Sequence, residues 1–204
     1  DTITLNVTLP SLDFALQTVE IVDKEQQMGS TQKIKMPERL RLHPSASGGG
    51  IEDIIKSQAG VRSHNELSSQ YNVRGGNFDE NSVYVNGIEV YRPLLIRAGQ
   101  QEGLSFVNPD MVGGIAFSTG GFEAKYGDKM SSVLDITYRE PEAFEGAVAL
   151  SLQGGSVAIG HSVKNFSQLH GFRYKRNSSL LSSLDTKGEY DPQYFDYQTN
   201  LNYT

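Results

Sequence analysis

The end of the chain constrains the fold most tightly. Phe195, Tyr197, Thr199, Leu201 and Tyr203 alternate with Asp196, Gln198, Asn200, Asn202 and Thr204. A period of two puts an aromatic-rich apolar face on one side of a strand and a polar face on the other. The pattern recurs upstream. Val148, Leu150 and Leu152 alternate with Ala147, Ala149 and Ser151, and Val157, Ile159 and His161 with Ala158, Gly160 and Ser162. Two architectures use such strands. A soluble antiparallel sheet turns the apolar face to a core. A membrane barrel turns it to lipid and the polar face to its lumen. On pattern alone the soluble sheet is the commoner choice.

The remaining sequence narrows the chemistry. With 21 glycines, no tryptophan and 37% hydrophobic residues, the chain favours short strands and turns over long helices. A formal charge of −6 gives no general pull toward phosphate backbones, so nucleic acid is not an expected partner. The absence of cysteine removes disulfides, thiolate metal sites and cysteine nucleophiles. No run approaches the ~20 apolar residues of a spanning helix, so any membrane crossing has to use strands. No charged or apolar leader follows Asp1, and a signal peptide is expected upstream or already removed.

His43, His64, His161 and His170 lack metal-ligand spacing. The oxygen-rich run Asn77, Asp79, Glu80 and Asn81 lacks the EF-hand pattern and reads as a turn. Gly48-Gly49-Gly50 is not followed by Lys-Ser/Thr, and no serine occupies a Gly-x-Ser-x-Gly elbow. Neither a metal, nor a cofactor, nor catalysis is expected. Arg173, Lys175 and Arg176, interleaved with Phe172 and Tyr174, suit a ligand or headgroup contact, but a solvated strand face is the simpler reading.

Along the chain, Ile3, Leu5, Val7 and Leu9 mark a strand ended by Pro10, and residues 18–22 a second. Residues 31–36 form a further candidate. A helix starts at Ile51, with Ile54 and Ile55 on one stripe, Glu52 and Asp53 in the first turn, and Gly60 placed to cap its end. Strands are expected over 70–74, 114–119 and 132–138. Asn86-Gly87, between Ser82-Val83-Tyr84-Val85 and Ile88-Glu89-Val90, signals a tight hairpin. Residues 120–127 form a loop.

Six ordered blocks then carry a family resemblance: residues 51–61, 71–76 (Tyr-Asn-Val-Arg-Gly-Gly), 82–91, 105–110, 120–127 and 130–136. Together they resemble the plug domain of TonB-dependent outer-membrane receptors, especially the Bacteroidetes-type branch. The resemblance implies an α+β fold: a small mixed-sheet plug domain with short helices, followed by antiparallel strands from the start of a truncated β-barrel. It divides the chain into 1–12, the end of an N-terminal extension; 13–23, a TonB-box-like segment; 24–140, the plug; and 141–204, the first barrel strands. A barrel needs at least eight strands, more than this last segment holds.

The resemblance assigns structural plug roles to Arg74, Gly75, Gly76, Asn86, Gly87, Tyr126 and Gly127. It assigns TonB contact to Leu16, Thr18, Val19, Glu20, Ile21 and Val22. The implied partners are TonB, the receptor's own barrel, the outer membrane of a Gram-negative bacterium and an unidentified ligand for uptake. The alternative is a stand-alone periplasmic or cell-surface binding module with a plug-like fold. Arg74 is expected to be buried and bonded to a carboxylate or to backbone carbonyls, because a buried guanidinium without partners is costly. The sequence departs from the family pattern at Ala116, where an acid is usual, at Thr119-Gly120-Gly121, and at Ser131-Ser132 in place of a glycine pair.

Overall fold

A parallel strand pair lies at the centre of the first sheet. In the computed structural model, which describes residues 31–35, 50–63, 69–94, 105–151, 154–176 and 193–203, five strands order as β1-β6-β7-β4-β5. They are β1 (Thr31–Lys35), β4 (Asn81–Val85), β5 (Ile88–Glu89), β6 (Val112–Ser118) and β7 (Ser132–Tyr138). Strands β4 and β7 run parallel, with Val83 opposite Leu134, and the other pairs are antiparallel. The sheet is therefore mixed, as expected. The early strands over 1–22, the TonB-box-like segment and the 1–12 extension lie outside the described residues.

The hairpin forms where Asn86-Gly87 signals it. Both residues take positive φ, 49° and 78°, and Val90 N donates to Val83 O at 2.8 Å. Asn86 does a second job. Its backbone N–H reaches Ile136 O at 2.8 Å and its Oδ1 accepts from Tyr138 N at 2.9 Å, so the turn is stitched to β7.

Helix α1 (Ile51–Lys56) lies on one face of this sheet. Asp53 accepts from Gly50 N at 3.0 Å, which satisfies an otherwise orphaned donor at the helix start. Ile51, Ile54 and Ile55 enter a core shared with Val83, Ile115, Phe117, Leu134 and Ile136. The helix is shorter than the sequence suggests. Ser57 is its C-cap, and Gly60, at φ 82°, instead turns the chain into β2 (Val61–Arg62), which pairs with β3 (Asn72–Val73).

Four longer strands follow: β8 (Glu145–Ser151), β9 (Gly154–Val163), β10 (Phe166–Arg176) and β11 (Gln193–Tyr203). They pair in sequence as one antiparallel sheet, β11-β10-β9-β8, that does not close on itself. Leu169 of β10 is fully buried in the same apolar cluster as Ile51 and Phe117, so this second sheet also covers the core of the first.

Glu52 is the exception in the helix stripe: it is a buried carboxyl, and burial raises its pKa above the ordinary 4.5, with the Ser105 hydroxyl pulling the other way. A raised folded-state pKa means the folded chain holds this proton more tightly than the unfolded one. Stability from this group is thus fullest below the ordinary glutamate value and is lost as pH rises through the raised one. Replacing Glu52→Gln removes that titration. Thermal unfolding across pH should show a variant more stable than the parent at pH 7, with the gain vanishing at low pH.

Candidate functional site

The two sheets meet along β10. Its inward residues are Ser167, Leu169, Gly171, Arg173 and Lys175, and facing them is the return from Ser105 to the 3-10 turn Pro109–Met111. Leu169 fills the core. Gly171 leaves room for the turn: a Cβ there would come within 2.6 Å of both Asn108 Nδ2 and Met111 Sδ. Asn108 caps the turn, its Oδ1 accepting from Asp110 N at 3.1 Å, and Met111 is fully buried.

Arg173 completes the contact and is 5% exposed. Its Nε donates to Asp196 Oδ1 at 2.8 Å and its Nη2 to Asp196 Oδ2 at 3.2 Å, directly across the β10–β11 ladder. The remaining donors cross to the 105–107 segment. Nη1 reaches Val107 O at 2.9 Å, while Nη2 reaches Ser105 O at 3.1 Å and Phe106 O at 3.0 Å. One guanidinium therefore binds three successive backbone carbonyls and one carboxylate, a use that its fork of five N–H groups allows. The sequence reading of a solvated face here is corrected. Arg173 and Lys175, two residues apart, share the inward side, while Arg176 points the other way.

The polar face of β11 continues the seat. Gln198 donates to Phe106 O and accepts from the Tyr138 hydroxyl at 2.9 Å. Burial pushes Tyr138 up to about 12, so its hydroxyl keeps the proton it donates at neutral pH. Asn200 Oδ1 accepts from Asn86 Nδ2 at 3.3 Å, and Asn202 Nδ2 donates to Glu140 at 3.0 Å. Ser156 of β9 donates to Asp110 Oδ2. Asp196, Gln198, Asn200 and Asn202 are thus the inward residues. The apolar set points out: Phe195 is 67% exposed and Tyr203 84%, with Tyr197, Leu201, Phe172, Val148 and Leu150 also exposed. This is the reverse of a soluble sheet.

The expected plug motif residues fall in three places. Arg74 and Gly75, at φ 48° and 86°, make a reverse turn closed by Gly76 N donating to Val73 O at 2.9 Å. Arg74 is exposed, against the expectation of burial, and no carboxylate pairs with it among the described residues. Its side chain lies along Gly60 and Gly120 instead. Gly76 is needed for closeness: a Cβ would meet Ser131 Oγ at 1.7 Å.

That serine and Ser132 fasten the start of β7, through Ser131 Oγ to Glu80 Oε2 and Ser132 Oγ to Asn81 Oδ1 at 2.7 Å. The oxygen-rich run is thereby a structural turn. Tyr126 donates to Asp135 and stacks edge-on against Tyr84 at 5.0 Å. Gly127 has open space around it. Arg173 and its carbonyl clasp escaped the sequence reading. The signal available was Arg173 opposite Asp196, which becomes visible only once the register is fixed.

Residues 16–133 match the family model of the TonB-dependent receptor plug domain. Among solved structures, the chain is similar to a double mutant of the Serratia marcescens hemophore receptor HasR in complex with its hemophore HasA and heme. There the TM-score is 0.58 at 13% identity, covering 85% of this chain and 29% of that one. It is also similar to the siderophore receptor PirA from Pseudomonas aeruginosa, with TM-score 0.56, 18% identity, and coverage of 87% and 33%. A mutant of the ferric enterobactin receptor PfeA from the same species gives 0.52 at 19% identity, with coverage of 74% and 25%. The chain spans no more than 33% of the length of any of these three. No curated protein sequence matches it.

Removing one partner of a buried, hydrogen-bonded charge leaves the other uncompensated, at about 3–5 kcal/mol. Arg173→Ala is therefore expected to loosen the 105–111 segment from β10. Hydrogen exchange at the amides of residues 105–111 should accelerate far more than at β4 and β7. The double variant Arg173→Met with Asp196→Leu, which leaves no charge stranded, should recover part of the protection.

Proposed function

This chain belongs to the TonB-dependent receptor plug family, and from that footing we propose that it is the plug and first barrel strands of an outer-membrane receptor. The receptor takes up a ligand with energy delivered through TonB. The observation that carries this reading is the inside-out second sheet: apolar side chains face away from the plug while Asp196, Gln198, Asn200 and Asn202 face it. Lipid is the solvent in which such an outer face is stable. A stand-alone periplasmic or surface module would need the opposite arrangement. The family supports a receptor rather than an enzyme.

In this reading the boundary between plug and barrel lies near Pro141. The outer face sits in the outer membrane of a Gram-negative bacterium, and the plug is reached from the periplasm. The TonB contact is the 13–23 segment, with Leu16, Thr18, Val19, Glu20, Ile21 and Val22 offering a short β-prone run. Pairing of such a run with a strand of TonB supplies backbone hydrogen bonds as grip. The Bacteroidetes-type branch is supported by the sequence blocks alone.

Proline at Val19 deletes a backbone donor and disfavours strand pairing. In cells carrying the full-length receptor, Val19→Pro should bring ligand uptake to the level of a TonB-deficient strain while surface binding of ligand is retained. Uptake at the parental rate would contradict the assignment of this segment.

A further inference from the structure

Beside the hairpin, the chain from Tyr91 to Leu94 forms a strap that bridges to Ser105. Beneath it, on the side of the sheet that carries α1, lies a cleft of about 170 Å³. Its walls include Val83, Val90, Leu94 and Leu134. Its buried polar lining is Glu52, Tyr71 and Ser82, each more than nine-tenths buried. Glu52 Oε2, the Tyr71 hydroxyl and Ser82 Oγ have no hydrogen-bond partner among the described residues. A buried polar atom left without a partner costs roughly 1–3 kcal/mol, so three in one cleft call for an occupant.

The properties of the cleft limit what that occupant can be. A cavity of ~150 Å³ accepts benzene, so this one is ring-sized. At its mouth Arg92 and Lys129 are balanced by Asp79 and Glu89, which leaves no net field to select an anion or a cation. An apolar patch of Val83, Val90, Leu94 and Leu134 beside convergent buried polar groups describes a small-molecule site, whereas water would satisfy the polar atoms and leave the patch wetted. Tyr71 keeps its proton, since burial raises its pKa far above the ordinary 10.0 and the neighbouring Glu52 adds to the rise. It is therefore a donor.

We propose that this cleft is a binding subsite for an uncharged, ring-sized group bearing a hydroxyl, of the phenol class. Its oxygen accepts from the Tyr71 hydroxyl, and its own hydroxyl donates to Glu52 Oε2. The inference rests on the receptor reading, in that such a group belongs to a cargo that reaches the plug. The subsite lies within the plug, under the strap, and is lined by residues of α1, β4, β7, the strap and Tyr71 just before β3.

The test uses the full-length receptor with phenol, benzene and benzoate as probes, titrated by ligand-observed NMR. Phenol should bind saturably and at least about fivefold more tightly than benzene, the gain expected of one or two net hydrogen bonds. Benzoate should bind more weakly than phenol. Tyr71→Phe should weaken phenol about fivefold and leave benzene unchanged. Should that variant fail to fold, Leu94→Trp fills the cleft from the strap and should abolish binding of both rings. Equal binding of benzene and phenol overturns the proposal. So does phenol binding indifferent to both variants, or no saturable binding at all, as when the cleft holds water or the chain's own residues. These outcomes are separable from failure of the receptor reading, because loss of probe binding with ligand uptake intact removes only the subsite.

Discussion

The position of the plug depends on one guanidinium. Burying an isolated charge is prohibitive, so Arg173 is tolerated only because Asp196 and three carbonyls meet it in fixed geometry. That requirement propagates. The carbonyls of Ser105, Phe106 and Val107 can converge on one group only if the return from the strap is held tightly. Holding it directs Asn108 and Met111 into the space left by Gly171. Met111 then enters the core with Leu169, and β6 leaves the turn paired with β7 through a bulge between Val112 and Gly114. The cross-strand pair of Arg173 and Asp196 in turn fixes which faces of β10 and β11 turn inward.

Apart from Leu169, the seat is mostly polar, and this suits a part that is proposed to move. Each neutral hydrogen bond across it, such as Tyr138 to Gln198 or Asn86 to Asn200, exchanges for one to water at a net cost of only about 1 kcal/mol. A wholly apolar seat would resist displacement and would aggregate when parted. The guanidinium concentrates the cohesion at a single point near one end of the plug. In the proposed energy-coupled receptor, a pull from the periplasm would meet one strong contact and several weak ones, which would favour stepwise release over wholesale unfolding.

Local patterns in the sequence were legible; long-range partnerships were not. Strand β7 appeared at residues 132–138, and the Asn86-Gly87 hairpin formed because both positions accept positive φ. The alternation in β11 was plain, yet its direction was ambiguous, because period two says that two faces differ and not which one meets water. The family blocks pointed to the right direction. The arginines show the limit most clearly. Arg74 stands in a recognisable motif and was expected to be buried; its positive-φ turn instead leaves it outside. Arg173 stands in a bland basic run and is the buried one, since burial was decided by a register with Asp196 and by carbonyls 66–68 residues away. Gly60 was read as a helix cap, but α1 ends at Ser57 hydroxyl and backbone contacts, leaving Gly60 to start β2.

The central claim is that the second sheet is inside out, with its polar face on the plug and its apolar face in lipid. Spin labels placed singly at positions 195 to 203 of the full-length receptor in bilayers test it most directly, by collision with oxygen, which concentrates in lipid, and with a water-soluble nickel chelate. The account predicts high oxygen accessibility at 195, 197, 199, 201 and 203, and low accessibility at 196, 198, 200 and 202, with period two throughout. The opposite phase, or nickel accessibility at the odd positions, would contradict it.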